Sequence, residues 1–164
     1  MWQVEGIIML RHIIDDLGDS PTYSDSRLEE LFLVAAQLIK FDVNFTNDYT
    51  IDVDAGTLSP DPTTSTKDYA FISLVCLKAA CILQRADART SAGQAIDIRD
   101  GRSAISLKGV FAGKIAMAKS YCEAYEKAKL EHTLGNLVVG RAIMGPIASE
   151  DLNWSPYNYY NGRG

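Results

Sequence analysis

The sequence predicts a mainly α protein: a small bundle of about four helices, a short β-hairpin between helices three and four, and an extended C-terminal tail. Three observations predict it. Apolar residues recur at helical spacing over four separate stretches. The third stretch, AFISLVCLKAACIL (70–83), is the most apolar run in the chain, and a helix apolar nearly all round belongs in a core. Between the third and fourth lies IDIRDGRSAIS, alternating residues around Asp100-Gly101, a strong two-residue hairpin signal. The expected division is a helical domain over 1–135, with its hairpin at 94–107, and a tail over 136–164.

The first helix is expected over Val4 to Leu17. Ile7, Leu10, Ile14 and Leu17 form its stripe, Ile8 and Ile13 widen it, and Gly18 is a natural stop. His12, among Arg11, Asp15 and Asp16, reads as a solvated helix histidine. GDSPTYSDS is turn chemistry and ends in Ser26-Arg27-Leu28-Glu29, a capping box. The second helix then runs to about Phe41, with Leu28, Leu31, Phe32, Ala35, Leu38 and Ile39 inward and the acidic pair Glu29 and Glu30 favoured by the helix dipole. Over FDVNFTNDYTIDV the period changes from helical to alternating, which predicts two short strands around Asn47-Asp48. AGTLSPDPTTST, with Gly56, Pro60 and Pro62, predicts a surface loop.

The third helix is expected from Thr66 or Lys67 to about Arg89, emerging to solvent before Gly93. It is either the central element of a bundle or partly covered by another chain. In the hairpin, a turn on Asp100-Gly101 places Ile98 opposite Ser103 and Ile96 opposite Ile105. Ile96, Ile98, Ile105 and Leu107 then share one face, and Arg99 and Arg102 lie on the other. A lone two-stranded hairpin is marginal in water, so this apolar face needs helices or a neighbouring subunit beneath it. The fourth helix, from Lys108 to Leu134, carries Val110, Phe111, Ile115, Met117, Ala118, Tyr121, Cys122, Tyr125 and Ala128 as a core stripe. Gly109 and Gly113, one turn apart, leave room for another backbone. The tail has no sustained period but is rich in Ile143, Met144, Trp154, Tyr157, Tyr159 and Tyr160, unlike a disordered segment. Docking on another surface and wrapping over its own domain both fit that composition.

The chain has 164 residues, enough for one domain with a core. Its net charge of −5 argues against a general nucleic-acid binder, which needs a basic face. Cys76 and Cys81, five residues apart on one helix, point from different faces and neither pair nor share a metal. With Cys122 they read as small core hydrophobes, suited to a reducing compartment. No unbroken apolar run reaches the ~18–20 residues of a membrane span. The N-terminus lacks a basic leader and carries Glu5, so the protein is expected to be made and kept in cytoplasm or in something assembled there.

Catalytic and cofactor signatures fail on inspection. GVFAGKIA (109–116) has one residue too few for a phosphate loop, and Ile115 stands where Ser or Thr should bind magnesium. DVDAG (52–56) has its glycine one position early for a calcium loop, and Thr63 stands where the bidentate Glu belongs. His12 and His132 are the only histidines. The expectation is no enzyme, no metal and no cofactor.

The order of parts resembles the head–tail connector, or adaptor, proteins of tailed bacteriophages. The resemblance rests on the opening helix with DSPTYSDSRLEELFLVAAQLI, on LSPDP leading into DYAFISLVCLKAACIL, and on IRDGRSAISLKG entering a long helix with YCEAYEKAK. These cover about two-thirds of the chain, Val4 to His132; the tail beyond Gly135 is outside it. The resemblance implies a helical bundle that assembles as a ring, commonly a dodecamer, under the portal at the capsid vertex. It implies a structural virion protein of the neck, assembled in the host cytoplasm and joining the DNA-filled head to the tail or to a stopper. DNA would pass through the ring without sequence-specific binding, and no membrane is involved. An acidic chain suits a channel wall that must not hold phosphate. By role, the tail residues Ile143, Met144, Trp154, Tyr157, Tyr159 and Tyr160 are candidates for gripping the portal or a neighbour, and Ile96, Ile98, Arg99, Arg102 and Ile105 for packing between subunits. Two other readings stand beside it: a scaffolding module that docks a partner through its tail, and a small helical ligand-binding protein.

Overall fold

A computed structural model describes residues 1–64, 67–93, 97–100, 103–106 and 108–135. The described elements are mainly helical, with two small antiparallel hairpins. In order they are α1 (Trp2–Ile14), α2 (Asp25–Asp42), β1 (Thr50–Asp52), β2 (Thr57–Ser59), α3 (Tyr69–Gly93), β3 (Asp97–Asp100), β4 (Ser103–Ser106) and α4 (Lys108–Gly135). The chain divides into a compact unit over Met1–Lys129 and a second over Leu130–Gly164. The boundary between them falls inside the last turns of α4. Of the second unit, residues 130–135 are described, as helix.

In the first unit α3 is the central element, as its composition predicts. From Phe71 to Leu83 every residue is buried or half-buried, and α1 and α2 pack on it. Asp68 starts it: its carboxylate accepts the N–H of Phe71 at 3.0 Å, satisfying one of the free donors of the first turn. Among the described residues α3 is also the one helix long and apolar enough to cross a membrane, with a mean hydropathy of 1.4 in an 18-residue window within Tyr69–Ala92. Unbroken apolar runs are therefore too strict a test of this sequence. Its apolar surface is spent here on the bundle, where Phe71, Val75, Cys76, Ala79 and Ala80 have almost no exposure.

Helix α1 ends at Ile14, short of the expected Leu17, which lies exposed. Asp15, not Gly18, takes the left-handed cap position at φ 59°. The cause is the buried Asp16. Its carboxylate accepts the N–H groups of Thr22 (2.7 Å) and Tyr23 (3.3 Å) and the Arg11 guanidinium (2.7 Å), which turns the chain at once toward α2. Those backbone donors, Thr22 first, hold the Asp16 carboxyl below the usual range despite burial. Ile8 is exposed, so the stripe is narrower than expected.

The cap of α2 lies two residues before the expected one. Ser24 is the cap, accepting the N–H of Arg27. The buried face is Leu28, Phe32, Leu33, Ala35, Ala36 and Ile39; Leu38 is exposed. Helices α1 and α2 pack tightly at Gly6, where an added Cβ would lie 2.8 Å from Phe32 Cε2. Phe32 is itself stacked on Trp2 at 5.2 Å.

The first hairpin does not turn on Asn47-Asp48. Phe41 and Asp42 continue α2, and the strands pair Thr50 with Ser59, Ile51 with Leu58 and Asp52 with Thr57. Gly56, at φ 67°, lies in the connecting turn, and the Asp52 carboxylate accepts the N–H of Ala55. Part of the expected surface loop is thus strand, with Leu58 buried. The alternation that suggested an earlier strand has another use. Phe45 and Tyr49 pack with Phe71, edge-on at 5.2 Å and stacked at 3.9 Å.

The second hairpin is where the sequence places it, in a different register. Ile98 faces Ile105, Arg99 faces Ala104 and Asp100 faces Ser103. Asp100 is therefore paired within the ladder and is not a turn residue. The shift is by two residues, so the alternation stays in phase. Ile98, expected opposite Ser103, stands opposite Ile105, and Ser103 stands opposite Asp100.

Candidate functional site

The sequence-derived site residues divide sharply. Ile98 and Arg99 lie in β3 and Ile105 in β4. Ile96, Arg102 and all six tail candidates (Ile143, Met144, Trp154, Tyr157, Tyr159 and Tyr160) lie outside the described residues. The structure instead brings a different element forward, α4 and the groove beside it.

The expected nine-residue core stripe of α4 is far shallower in the structure. Over residues 111–129, Ala118 and Tyr125 are buried, while Phe111, Tyr121, Cys122 and Ala128 are half-buried. Ile115 and Met117 are 45% and 51% exposed. The spacing 118, 121/122, 125, 128 is a single ridge of one helix, so α4 meets the bundle along a narrow seam. Gly113 is open, with no atom near where a Cβ would stand.

Besides the exposed Lys114 ammonium, which donates to the Ser91 hydroxyl of α3 at 2.7 Å, three interactions hold that seam. The Tyr121 hydroxyl donates to the Ile13 carbonyl at 2.9 Å, at the C-terminal end of α1. The Tyr125 hydroxyl donates to the Asp42 carboxylate at 2.7 Å, and Lys78 donates to the same oxygen at 3.1 Å. The Lys78 and Lys129 ammonium groups also stand over the Tyr125 ring, at 4.4 and 5.5 Å from its centroid. The Tyr125 hydrogen bond, then Lys78, holds the Asp42 carboxyl below the usual range against its partial burial. Burial first, then the Asp42 charge, push the Tyr125 phenol up.

The third interaction is covalent. Cys81 of α3 and Cys122 of α4 form a disulfide, with their Cα atoms 4.8 Å apart. This corrects the expectation that all three cysteines are free core residues; Cys76 alone is free, and buried. Sequence spacing ruled out a bridge within α3 but could not show which faces of α3 and α4 meet. One signal was available. Cys81 lies 12 residues before Gly93 and Cys122 lies 14 after Lys108, comparable distances from the hairpin joining the two helices. By chain-entropy arithmetic, closing the 41-residue loop contributes about 4 kcal/mol.

Beside the disulfide, α3 and α4 enclose a groove of about 750 Å³ open to solvent. Ile82, Ala88, Ile115 and Ala118 give it apolar walls, and Arg85, Arg89 and Lys119 line it with positive charge opposite Glu123 and Glu126. Lys119 and Glu123 pair along α4 at 3.6 Å. No group of three or more His, Cys, Asp or Glu side chains fit to hold a metal occurs among the described residues. Lys78 and the buried Tyr125 of the seam line the same groove.

Compared with known proteins, this chain matches no family model, no curated protein and no solved structure.

Proposed function

We propose that this protein is a structural subunit of an oligomeric ring, not an enzyme, and that the ring is the head–tail connector of a tailed bacteriophage. In this reading the copies, twelve by the resemblance, sit beneath the portal, line the DNA exit channel and receive the stopper or tail protein below. The observation that carries the reading is α4. A monomeric bundle would bury its long helix along a broad stripe. This helix is tied by a narrow seam, leaves Ile115 and Met117 in water, and has an open glycine at 113 where a neighbour's backbone fits. The ordered resemblance from Val4 to His132 supplies the virion context, and the net charge of −5 suits a channel through which DNA slides.

The test is reconstitution of the full chain with the portal ring of the same virus, imaged in negative stain with mass measurement. The expected result is added ring density on one face of the portal. Deleting residues 152–164 should leave the Met1–Lys129 unit folded and weaken that attachment. A stable monomer that never joins the portal overturns the proposal. Association with a non-virion partner in its place favours the scaffolding reading.

A further inference from the structure

We propose that the Cys81–Cys122 pair is a redox-conditional clasp: oxidised, it seats α4 on α3; reduced, it leaves α4 held by its narrow seam alone. The inference does not depend on the ring reading. Three observations carry it. The first is placement. The bond joins the central helix to the helix with the fewest buried residues among those described in the Met1–Lys129 unit, at the middle of that helix's seam. Its removal leaves Ala118, Tyr125 and three side-chain hydrogen bonds, the Lys114–Ser91 one exposed, as the principal ties of α4 to α1, α2 and α3.

The second is access. Both cysteines line the solvent-open groove, and Cys122 is half-buried, so a small thiol reaches the bond without unfolding the bundle. The third is isolation. Cys76, on the same helix as Cys81, is fully buried with its thiol hydrogen toward the Gly6 carbonyl, and burial pushes that thiol up to about 12. It stays protonated and out of reach, so exchange is confined to the one pair.

The chemistry is thiol–disulfide exchange. A small monothiol, as its thiolate, attacks one sulfur; the protein S–S bond breaks, a mixed disulfide forms, and the released cysteine thiolate takes a proton from water. A second small thiolate attacks the mixed disulfide, releasing the other cysteine and a small-molecule disulfide. Two small thiols are oxidised and one protein disulfide is reduced; the reverse, driven by a small-molecule disulfide, closes the clasp. In a thiol-rich cytoplasm the chain is then made with α4 loosely held, and it is fixed on reaching an oxidising medium.

The test uses the full wild-type chain equilibrated at graded ratios of reduced to oxidised glutathione. Trapping by alkylation and intact mass give the redox state, and hydrogen–deuterium exchange is read peptide by peptide. The expected result is that native reduction exposes two alkylatable cysteines and not the third. Amides over 111–129 should then exchange at least about tenfold faster while 28–39 and 71–80 are unchanged. A Cys81→Ser/Cys122→Ser variant should match the reduced protein at every ratio. Equal α4 protection in both states, a uniform loss of protection throughout the bundle, failure of oxidised glutathione to form the bond, or failure of the double variant to fold each overturns the proposal.

Discussion

Tyr125→Phe isolates one atom of the seam. The ring stays, and with it the burial and the positions of Lys78 and Lys129 over its face. What is lost is the hydroxyl donating to Asp42 at 2.7 Å. A hydrogen bond to a charged group contributes about 1.5–3 kcal/mol. The Asp42 side chain is 34% exposed and keeps Lys78, so solvent and the remaining partner reduce the expected cost to about 1–2 kcal/mol at pH 7. The pH dependence is a sharper signature. The native Asp42 carboxyl is lowered, and the Tyr125 hydroxyl is the largest cause. Its stabilisation is therefore complete above the unfolded carboxyl value of 3.8 and is lost as pH falls through the lower native value. The gap between wild type and variant should narrow as pH drops below about 4. Urea titration followed by circular dichroism, without reductant, at pH 7 and pH 3 measures both quantities. A double-mutant cycle with Asp42→Asn isolates the pairwise term. A variant within about 0.3 kcal/mol of wild type at pH 7, or a gap unchanged at pH 3, would refute this account of the seam.

Gly6→Ala should destabilise by about 1–2 kcal/mol, since the new methyl meets Phe32 at 2.8 Å and Phe32 is pinned against Trp2; helix propensity offsets part of the overpacking. Calorimetry should show the melting temperature falling by several degrees, with Phe32→Leu restoring part of it; an unchanged melting temperature would mean that α1 and α2 are not in close contact. Asp16→Asn removes the charge that Thr22, Tyr23 and Arg11 share, at an expected cost of about 2–3 kcal/mol. Because the native Asp16 carboxyl is also lowered, its contribution is present above 3.8 and fades as acid protonates it, so the variant's acid transition should be the flatter one. Equal acid transitions would place the stabilisation elsewhere.

The elements that sequence reading located best were those whose local signals and tertiary roles agree. Helix α3 is apolar nearly all round because it is the centre of the bundle, and α4 starts at Lys108 as its pattern predicts. Misplaced boundaries trace to single interactions invisible in a linear pattern. The buried Asp16 stops α1 early, and Phe45 and Tyr49 turn to Phe71, which made a loop look like a strand. The depth of the α4 stripe was overestimated for a general reason. Periodicity shows which residues can face a core, not how much core is there to receive them. Ile115 and Met117 satisfy the pattern and remain about half exposed. The same gap between pattern and proximity hid the disulfide, whose two cysteines lie on helices that spacing alone does not place side by side.

The exposed face of α4 is the centre of the functional account, and solution mass tests it most directly. Native mass spectrometry and sedimentation velocity should compare the full wild-type chain with Ile115→Asp/Met117→Asp across a concentration series, alone and with portal. Both substituted positions are exposed, so the melting temperature of the monomer should stay within a degree or two. The account predicts that wild type forms closed multimers, by itself or on the portal, and that the variant remains monomeric. A wild type that stays monomeric under every condition, or a variant that assembles as wild type does, would contradict it.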